Sequence, residues 1–136
     1  MTGAAHANRG YRRLFDGAGL SFGLGLPLTG ERTSTPVVTD EVALATHAES
    51  VGFDGLWARD VPTYWPRFGD AGGAFDTWPL LSYLAARTDD IALGTSSVVL
   101  PVRHPIHVAK AAASVDRLSD GRLVLGVASG DREPEY

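Results

Sequence analysis

The sequence predicts an α/β fold built from parallel (β/α) units. Three observations predict it. Four short apolar runs of strand length begin near residues 21, 55, 91 and 123, at intervals of about 32–36 residues. Each interval contains a segment with apolar residues at helical spacing, long enough for the crossover that parallel neighbours need. The runs are apolar on both faces, as strands covered on two sides must be. Helical repeats share a similar period, but each unit here opens on a strand and not on a second helix. An eightfold barrel of such units has roughly 250 residues. The 136 residues of this chain therefore match about half of a TIM-type barrel, with a four-stranded doubly wound domain as the alternative.

Residues 1–10 are small and polar and read as a loose arm, and residues 11–15 as a short helix or docking segment. Residues 1–19 are assigned to a flexible arm and residues 20–136 to the barrel portion. The first strand spans residues 21–28, with Pro27 at its end, where a missing N–H does least harm. A loop over residues 30–38 leads to a helix capped by Thr39. Asp40 and Glu41 lie in its positively polarised first turn, and Leu44, Ala45, Ala48 and Val51 form its inner face. Gly52 suits the left-handed position after the helix.

Residues 55–59 form the second strand. A long loop follows over residues 60–75, rich in Pro, Gly and aromatic residues. Asp76 and Thr77 precede the next helix, which tolerates Pro79 near its start and turns Leu80, Leu81, Leu84 and Ala85 inward. The third strand covers residues 91–100. His104 and Pro105 open the third long helix, whose stripe is Val108, Ala112, Val115 and Leu118. Asp120-Gly121 makes a turn into the fourth strand, residues 123–128.

Composition narrows the function classes. A formal charge of −4 offers no basic footprint for nucleic acid and no polybasic membrane patch. No apolar run reaches the length of a transmembrane helix, and the N-terminal residues lack a signal core. The absence of cysteine removes disulfides, thiolate nucleophiles and thiolate metal sites, and fits a cytoplasmic protein. His104 and His107 have no carboxylate or cysteine at metal-ligand spacing; one caps the helix and the other faces solvent, so no metal site is expected. Gly23-x-Gly25 lacks the third glycine of a dinucleotide fingerprint, and no G-x-S-x-G elbow is present.

In either architecture, ligands bind at the carboxyl ends of the strands. That rule selects residues 26–28, Arg59 with Asp60, residues 95–98, and residues 129–131. These places carry small hydroxyls, an arginine and two carboxylates, groups able to hydrogen-bond a planar heteroaromatic ring. Trp57, Tyr64 and Trp65 could wall an apolar pocket. Each has a plainer role available. Asp60 could cap its loop, Ser96 and Ser97 could satisfy strand ends, Asp131 could simply be solvated, and Trp57 could be core. A hydrolase pair of Asp60 with Asp131 or Glu133 is a generic barrel possibility.

The residues also carry a resemblance. Gly52-Phe-Asp-Gly-Leu-Trp-Ala-Arg-Asp60, Leu93-Gly-Thr-Ser-Ser-Val-Val-Leu-Pro-Val-Arg-His-Pro105, Ala109-Lys110, and the run from Ser114 through Ser119-Asp-Gly-Arg to Ser129-Gly-Asp131 resemble the bacterial luciferase-like monooxygenase family. Val61-Pro, Phe68-Gly-Asp and the ending 128–136 are similar to the subgroup of luciferase-type oxidoreductases. The resemblance covers residues 8–136.

It implies an eightfold barrel that binds reduced flavin mononucleotide (FMN), or in some branches a deazaflavin coenzyme, at its mouth. The ring lies over the end of the third strand, where many members have a non-proline cis peptide; the matching bond here is Ser96–Ser97. Asp60 matches an acidic position near the coenzyme, and Ser129 and Asp131 match a polar pair that reaches toward the ring or ribityl chain. Deazaflavin members often have histidine after the acidic residue. Val61 stands there in this chain, which favours FMN.

The implied chemistry is reaction of reduced flavin with dioxygen to oxygenate a small organic substrate, with the cofactor carrying the reaction and the protein excluding water. No protein acid or base is demanded, so the catalytic residues stay unassigned. A flavin reductase is an implied partner. Family members are about twice this length, and their later strands hold the flavin phosphate. The chain is therefore expected to be the N-terminal half of a TIM-type barrel, a C-terminally truncated half-barrel with two unpaired sheet edges. It would pair with itself or with a separate half-barrel, or persist as a non-catalytic remnant.

Overall fold

The structure, a computed structural model, describes residues 8–26, 38–68 and 74–132. In chain order its elements are α1 (Arg9–Phe15), β1 (Gly23–Leu26), α2 (Val38–Ser50), β2 (Gly55–Ala58), α3 (Thr77–Ala85), β3 (Ala92–Thr95), β4 (Val98–Val99), α4 (Pro105–Leu118), β5 (Leu123–Val124) and β6 (Val127–Ala128). Short 3₁₀ turns occupy Pro66–Phe68 and Leu100–Val102.

β1, β2, β3 and β5 form one sheet in that order, all parallel. Spatial order repeats chain order, so the described strands show no reversal of the kind a doubly wound sheet requires. Helices α2, α3 and α4 cover one face. Ala45 and Ala48 of α2, Leu80, Leu81 and Leu84 of α3, and Val115 of α4 share a core with Leu26, Leu56, Ala58, Leu93 and Leu123 of the strands. Each fully buried leucine there contributes about 1.5–3 kcal/mol by leaving water. Sequential parallel strands with helices outside are the arrangement of a (β/α) barrel wall.

Alternation along β2 sends Leu56 and Ala58 to the helices, and Gly55 and Trp57 to the other, concave face. There Trp57 lies across its neighbours. A Cβ on Gly23 would sit 2.2 Å from Trp57 Nε1, and one on Gly94 2.3 Å from Trp57 Cε3. One large ring thus covers three strands because the flanking positions have no side chains. Below it, Leu14 of α1 packs against Gly55, 3.1 Å from where a Cβ would lie.

Several sequence expectations are met in the local geometry. Gly52 follows α2 with φ of 93°. Asp76 caps α3 by accepting from Trp78 N at 3.1 Å. His104 caps α4, its Nδ1 accepting from Ile106 N at 3.3 Å.

Others are corrected. The short helix or docking segment expected over residues 11–15 is a docked helix that starts earlier, at Arg9, within the stretch assigned to the arm: Gly10 N donates to Gly121 O, and Arg9 pairs with Asp90 and Asp120, each at 2.7 Å. α2 begins at Val38, which places Thr39 inside the first turn. Val51 and Leu118, expected on inner faces, are exposed because they sit at or just beyond the last helical turn. The third and fourth runs are each two short strands. Thr95, the last residue of β3, and Gly126, between β5 and β6, stand side by side at the breaks: Thr95 Oγ1 donates to Gly126 O at 2.7 Å and accepts from Gly126 N at 2.8 Å. A side chain there replaces the backbone ladder, which resumes where β4 pairs with β6. The expectations placed on residues 1–7, on Pro27 and residues 28–37, and on Glu133 lie outside the described residues.

Candidate functional site

The carboxyl ends of the strands surround a cavity of about 350 Å³. Its floor begins where β2 ends, at Arg59, Asp60 and Val61. One wall is Ser96, Ser97 and Val99, between and beyond β3 and β4. The opposite wall runs from Ala128 at the end of β6 to Arg132. All five sequence-selected residues, Asp60, Ser96, Ser97, Ser129 and Asp131, line this one cavity.

Ser96 and Ser97 are joined by a cis peptide bond. Ser96 is exposed and Ser97 half-buried. The segment is tied down on both sides: Ser96 N donates to Ala58 O at 2.8 Å, and Val98 N to Gly126 O at 2.9 Å. Gly126 is required at that crossing, because a Cβ would lie 2.2 Å from Thr95 O. Across the cavity Ser129 and Asp131 are exposed and flank Gly130, whose φ is 81°.

Asp60 differs from the others. Its side chain is buried, and its carboxylate is engaged by the protein. Oδ2 accepts from Arg103 Nε at 2.9 Å and from Val99 N at 3.0 Å. Oδ1 accepts from Arg103 Nη2 and, at 3.5 Å, from Thr77 Oγ1. Arg103 Nη2 also reaches Asp76 Oδ2 at 3.0 Å. The hydrogen bond that Arg103 donates to Asp60, with the one it donates to Asp76, raises the Arg103 pKa above its ordinary value against the effect of burial. Arg103 stays a cation. A hydrolase pair needs an available carboxylate on each side, and this geometry does not leave Asp60 available.

Arg103 and Arg132 were not legible as site residues. Arg103 lies 43 residues from its partner, and nothing in the Val-Arg-His-Pro run marks it. Arg132 lines the cavity and is buried, its guanidinium 5.4 Å from the centre of the Phe68 ring. Phe68 in turn meets Trp65 edge-on at 5.7 Å. The aromatic residues of the loop after β2 thus back the cavity through Arg132. Trp57 lies in the concave face beneath, and Tyr64 is half-buried in the loop; neither lines the cavity. His104 and His107 stand on α4, their rings 5.4 Å apart, away from this site.

The arrangement supplies three hydroxyls, a carboxylate at Asp131, two guanidiniums and a slot between two polar walls. It can hydrogen-bond the edges of a flat polar ring. It presents no activated nucleophile.

Residues 21–136 match the luciferase-like monooxygenase family. The chain is 47% identical over 109 residues to the oxygenase component of the flavin-dependent trigonelline monooxygenase of Acinetobacter baylyi, covering 80% of this chain and 29% of that one. It is 38% identical over 89 residues to the F420-dependent glucose-6-phosphate dehydrogenase of Nakamurella multipartita, covering 65% of this chain and 26% of that one. Its fold is similar to that of the monooxygenase RslO1 from Streptomyces bottropensis, with a TM-score of 0.72 and 28% identity, over 85% of this chain and 35% of that one. The chain therefore spans between about a quarter and a third of the length of these proteins.

Proposed function

This chain belongs to the luciferase-like monooxygenase family, and we propose that its mouth cavity holds the ring of reduced FMN in a flavin-dependent monooxygenase acting on a small organic substrate. The observation that carries the reading is convergence. Five residues selected from three separated stretches of sequence line one cavity, and its size falls at the lower end of the roughly 300–1,000 Å³ typical of small-molecule sites.

The donor set fits a flavin. Ser96 and Ser97 would hold one side of the ring, and Ser129 and Asp131 would reach its polar edge or ribityl chain. Bound reduced flavin supplies the electrons that activate dioxygen. The chain's own contribution is to bind, to orient, and to keep water from the ring side of the slot. Asp60 holds the wall from behind.

FMN is favoured over a deazaflavin by Val61, which lines the cavity at the position where the deazaflavin branches often have histidine. The flavin-dependent trigonelline enzyme is also the more identical of the two relatives described. A deazaflavin-dependent oxidoreductase is the second reading, favoured by the similarity to the F420-dependent dehydrogenase. The term "oxygenase component" in the trigonelline enzyme's name supports a separate flavin reductase as partner.

Among the described residues β1 and β5 each have one unpaired edge. Closing an eightfold barrel needs further parallel strands on both edges. We place residues 20–136 in that barrel wall. Among the described residues no helix is long and apolar enough to cross a membrane; the cysteine-free sequence supports a cytoplasmic location.

Titration with FMN and with a deazaflavin coenzyme, in both redox states and followed by ring fluorescence, tests the reading. FMN is expected to bind, and Ser97→Val to weaken it. Preference for the deazaflavin would transfer the assignment to the second reading. Binding of neither would leave a non-catalytic remnant.

A further inference from the structure

We propose that Arg103 is a positioning residue for the mouth cavity: through Asp60 it holds the Ser96–Val99 wall in place, and Asp60 supports that wall without contacting the bound ring. The proposal rests on the reading of the cavity as a flavin site.

An ionised carboxylate offers about four acceptor positions. At Asp60 three are used, two by Arg103 and one by Val99 N, and Thr77 Oγ1, whose one proton is shared with Arg59 O at 3.2 Å, stands 3.5 Å from Oδ1 beside the fourth. Its side chain is 1% exposed. It lines the cavity, yet its hydrogen-bonding capacity is turned away from any ligand. Val99 stands two residues beyond Ser97. Its N–H is the third of three backbone donors that fix the wall, after Ser96 N on Ala58 O and Val98 N on Gly126 O. The first two acceptors are backbone carbonyls in the sheet. The third is a side chain, and its placement depends on what holds it.

Arg103 holds it. The guanidinium meets both carboxylate oxygens, a fork geometry that lysine cannot reproduce. The same Nη2 reaches Asp76, whose other oxygen caps α3. One side chain therefore joins the end of β2, the start of α3 and the approach to α4. Arg103 itself faces a different cleft, of about 500 Å³, shared with Trp78 and His104. It does not line the mouth cavity, so its effect on a ligand there passes through Asp60. Without Arg103, the buried Asp60 charge would be left uncompensated. It would be relieved by protonation, which leaves Val99 N only a weaker neutral acceptor, or by turning toward water, which withdraws the acceptor altogether.

The test is a double-mutant cycle read in two ways on the full chain. FMN affinity is measured for the parent, Arg103→Gln, Asp60→Asn and the double variant, with Arg103→Lys as a milder change that keeps the charge. Amide hydrogen exchange is measured at Val99, with Leu93 as the sheet reference. Each single variant is expected to weaken FMN binding about tenfold or more, as small misplacements of a binding wall do, and the double variant no more than the worse single. Val99 should lose at least about tenfold in protection while Leu93 keeps its own.

Three results would overturn the proposal. Asp60→Asn could weaken FMN while Arg103→Gln binds like the parent, which would make Asp60 a direct contact. The two effects could multiply. Protection could fall equally at Leu93 and Val99, which would make the pair a general stabiliser. If the parent binds no flavin, the flavin reading fails separately, and exchange at Val99 decides the positioning role: an unchanged Val99 amide in Arg103→Gln and Arg103→Lys refutes it.

Discussion

Each end of the sheet has a buried or half-buried arginine, and the two are satisfied in opposite ways. At the N-terminal end Arg122 donates to four backbone carbonyls, of Ser119, Ile91, Ala85 and Thr88, and to Thr88 Oγ1, all within 3.0 Å. Among the described residues no carboxylate hydrogen bond to it is seen. Burial lowers its pKa, and nearby Glu49 works the other way. At the mouth Arg103 binds two carboxylates, one of which passes its grip to a backbone N–H. The first arrangement gathers backbone carbonyls around a single cation. The second props a wall from behind and leaves the space in front open. This matches the division of labour in barrels, where the bottom face serves stability and the top face serves ligands.

Helix α2 repeats the contrast with two glutamates. Glu49, at its bottom end, accepts from Asp89 N, Asp90 N and Ile91 N at 2.7–3.2 Å. Glu41, near the mouth end, is 1% exposed, and among the described residues neither of its carboxylate oxygens has a partner.

The comparison is broken most forcefully at Arg122. Arg122→Met should cost about 3 kcal/mol or more, since several buried carbonyls lose a charged donor at once. Urea denaturation should show the loss, while FMN affinity of the folded fraction stays unchanged. A matching loss of affinity would mean that the two ends are not separate.

Glu49→Gln should cost less, about 1–2 kcal/mol at neutral pH. Burial opposes ionisation of Glu49, but the three backbone donors prevail and hold its pKa below 4.5. The stabilisation is therefore present above that ordinary value and is lost as pH falls through the folded-state value. Parent and variant should converge in acid; a gap that persists there would refute the capping role.

Glu41→Gln should have the smallest effect and the opposite sign, a gain of about 1 kcal/mol or less at neutral pH. Burial raises the Glu41 pKa above 4.5, with Asp40 adding to it. The parent's handicap is absent below that value and grows as pH rises through the folded-state pKa. Thermal melts of both proteins across the acid range check this, and a destabilised variant at neutral pH would show that Glu41 is ion-paired.

Legibility from sequence followed the range of the interactions. The four strands, the caps at Asp76 and His104 and the turn at Gly52 rest on neighbours a few residues away, and local pattern reveals them. The cavity residues were found because parallel strands put their carboxyl ends on one side, a rule that needs no coordinates. What escaped depends on distant partners. Arg9 anchors α1 to Asp90 and Asp120, 81 and 111 residues away, so the sequence suggests a short helix or docking segment over residues 11–15 but not its start or its anchor. The breaks at Thr95 and Gly126 exist only because two strands place them side by side. Asp60 was selected for its place, but what occupies its carboxylate lies on three other segments.

Trp57, stretched over Gly23 and Gly94, has one more consequence. It sits directly below the point where β2 opens into the mouth cavity. The chain's other two tryptophans, Trp65 and Trp78, flank the loop and helix on the same side of the sheet's end. Indole emission overlaps the absorption of flavin-like rings. The fold thus carries a built-in optical probe whose dimming reports an occupied mouth without any added label.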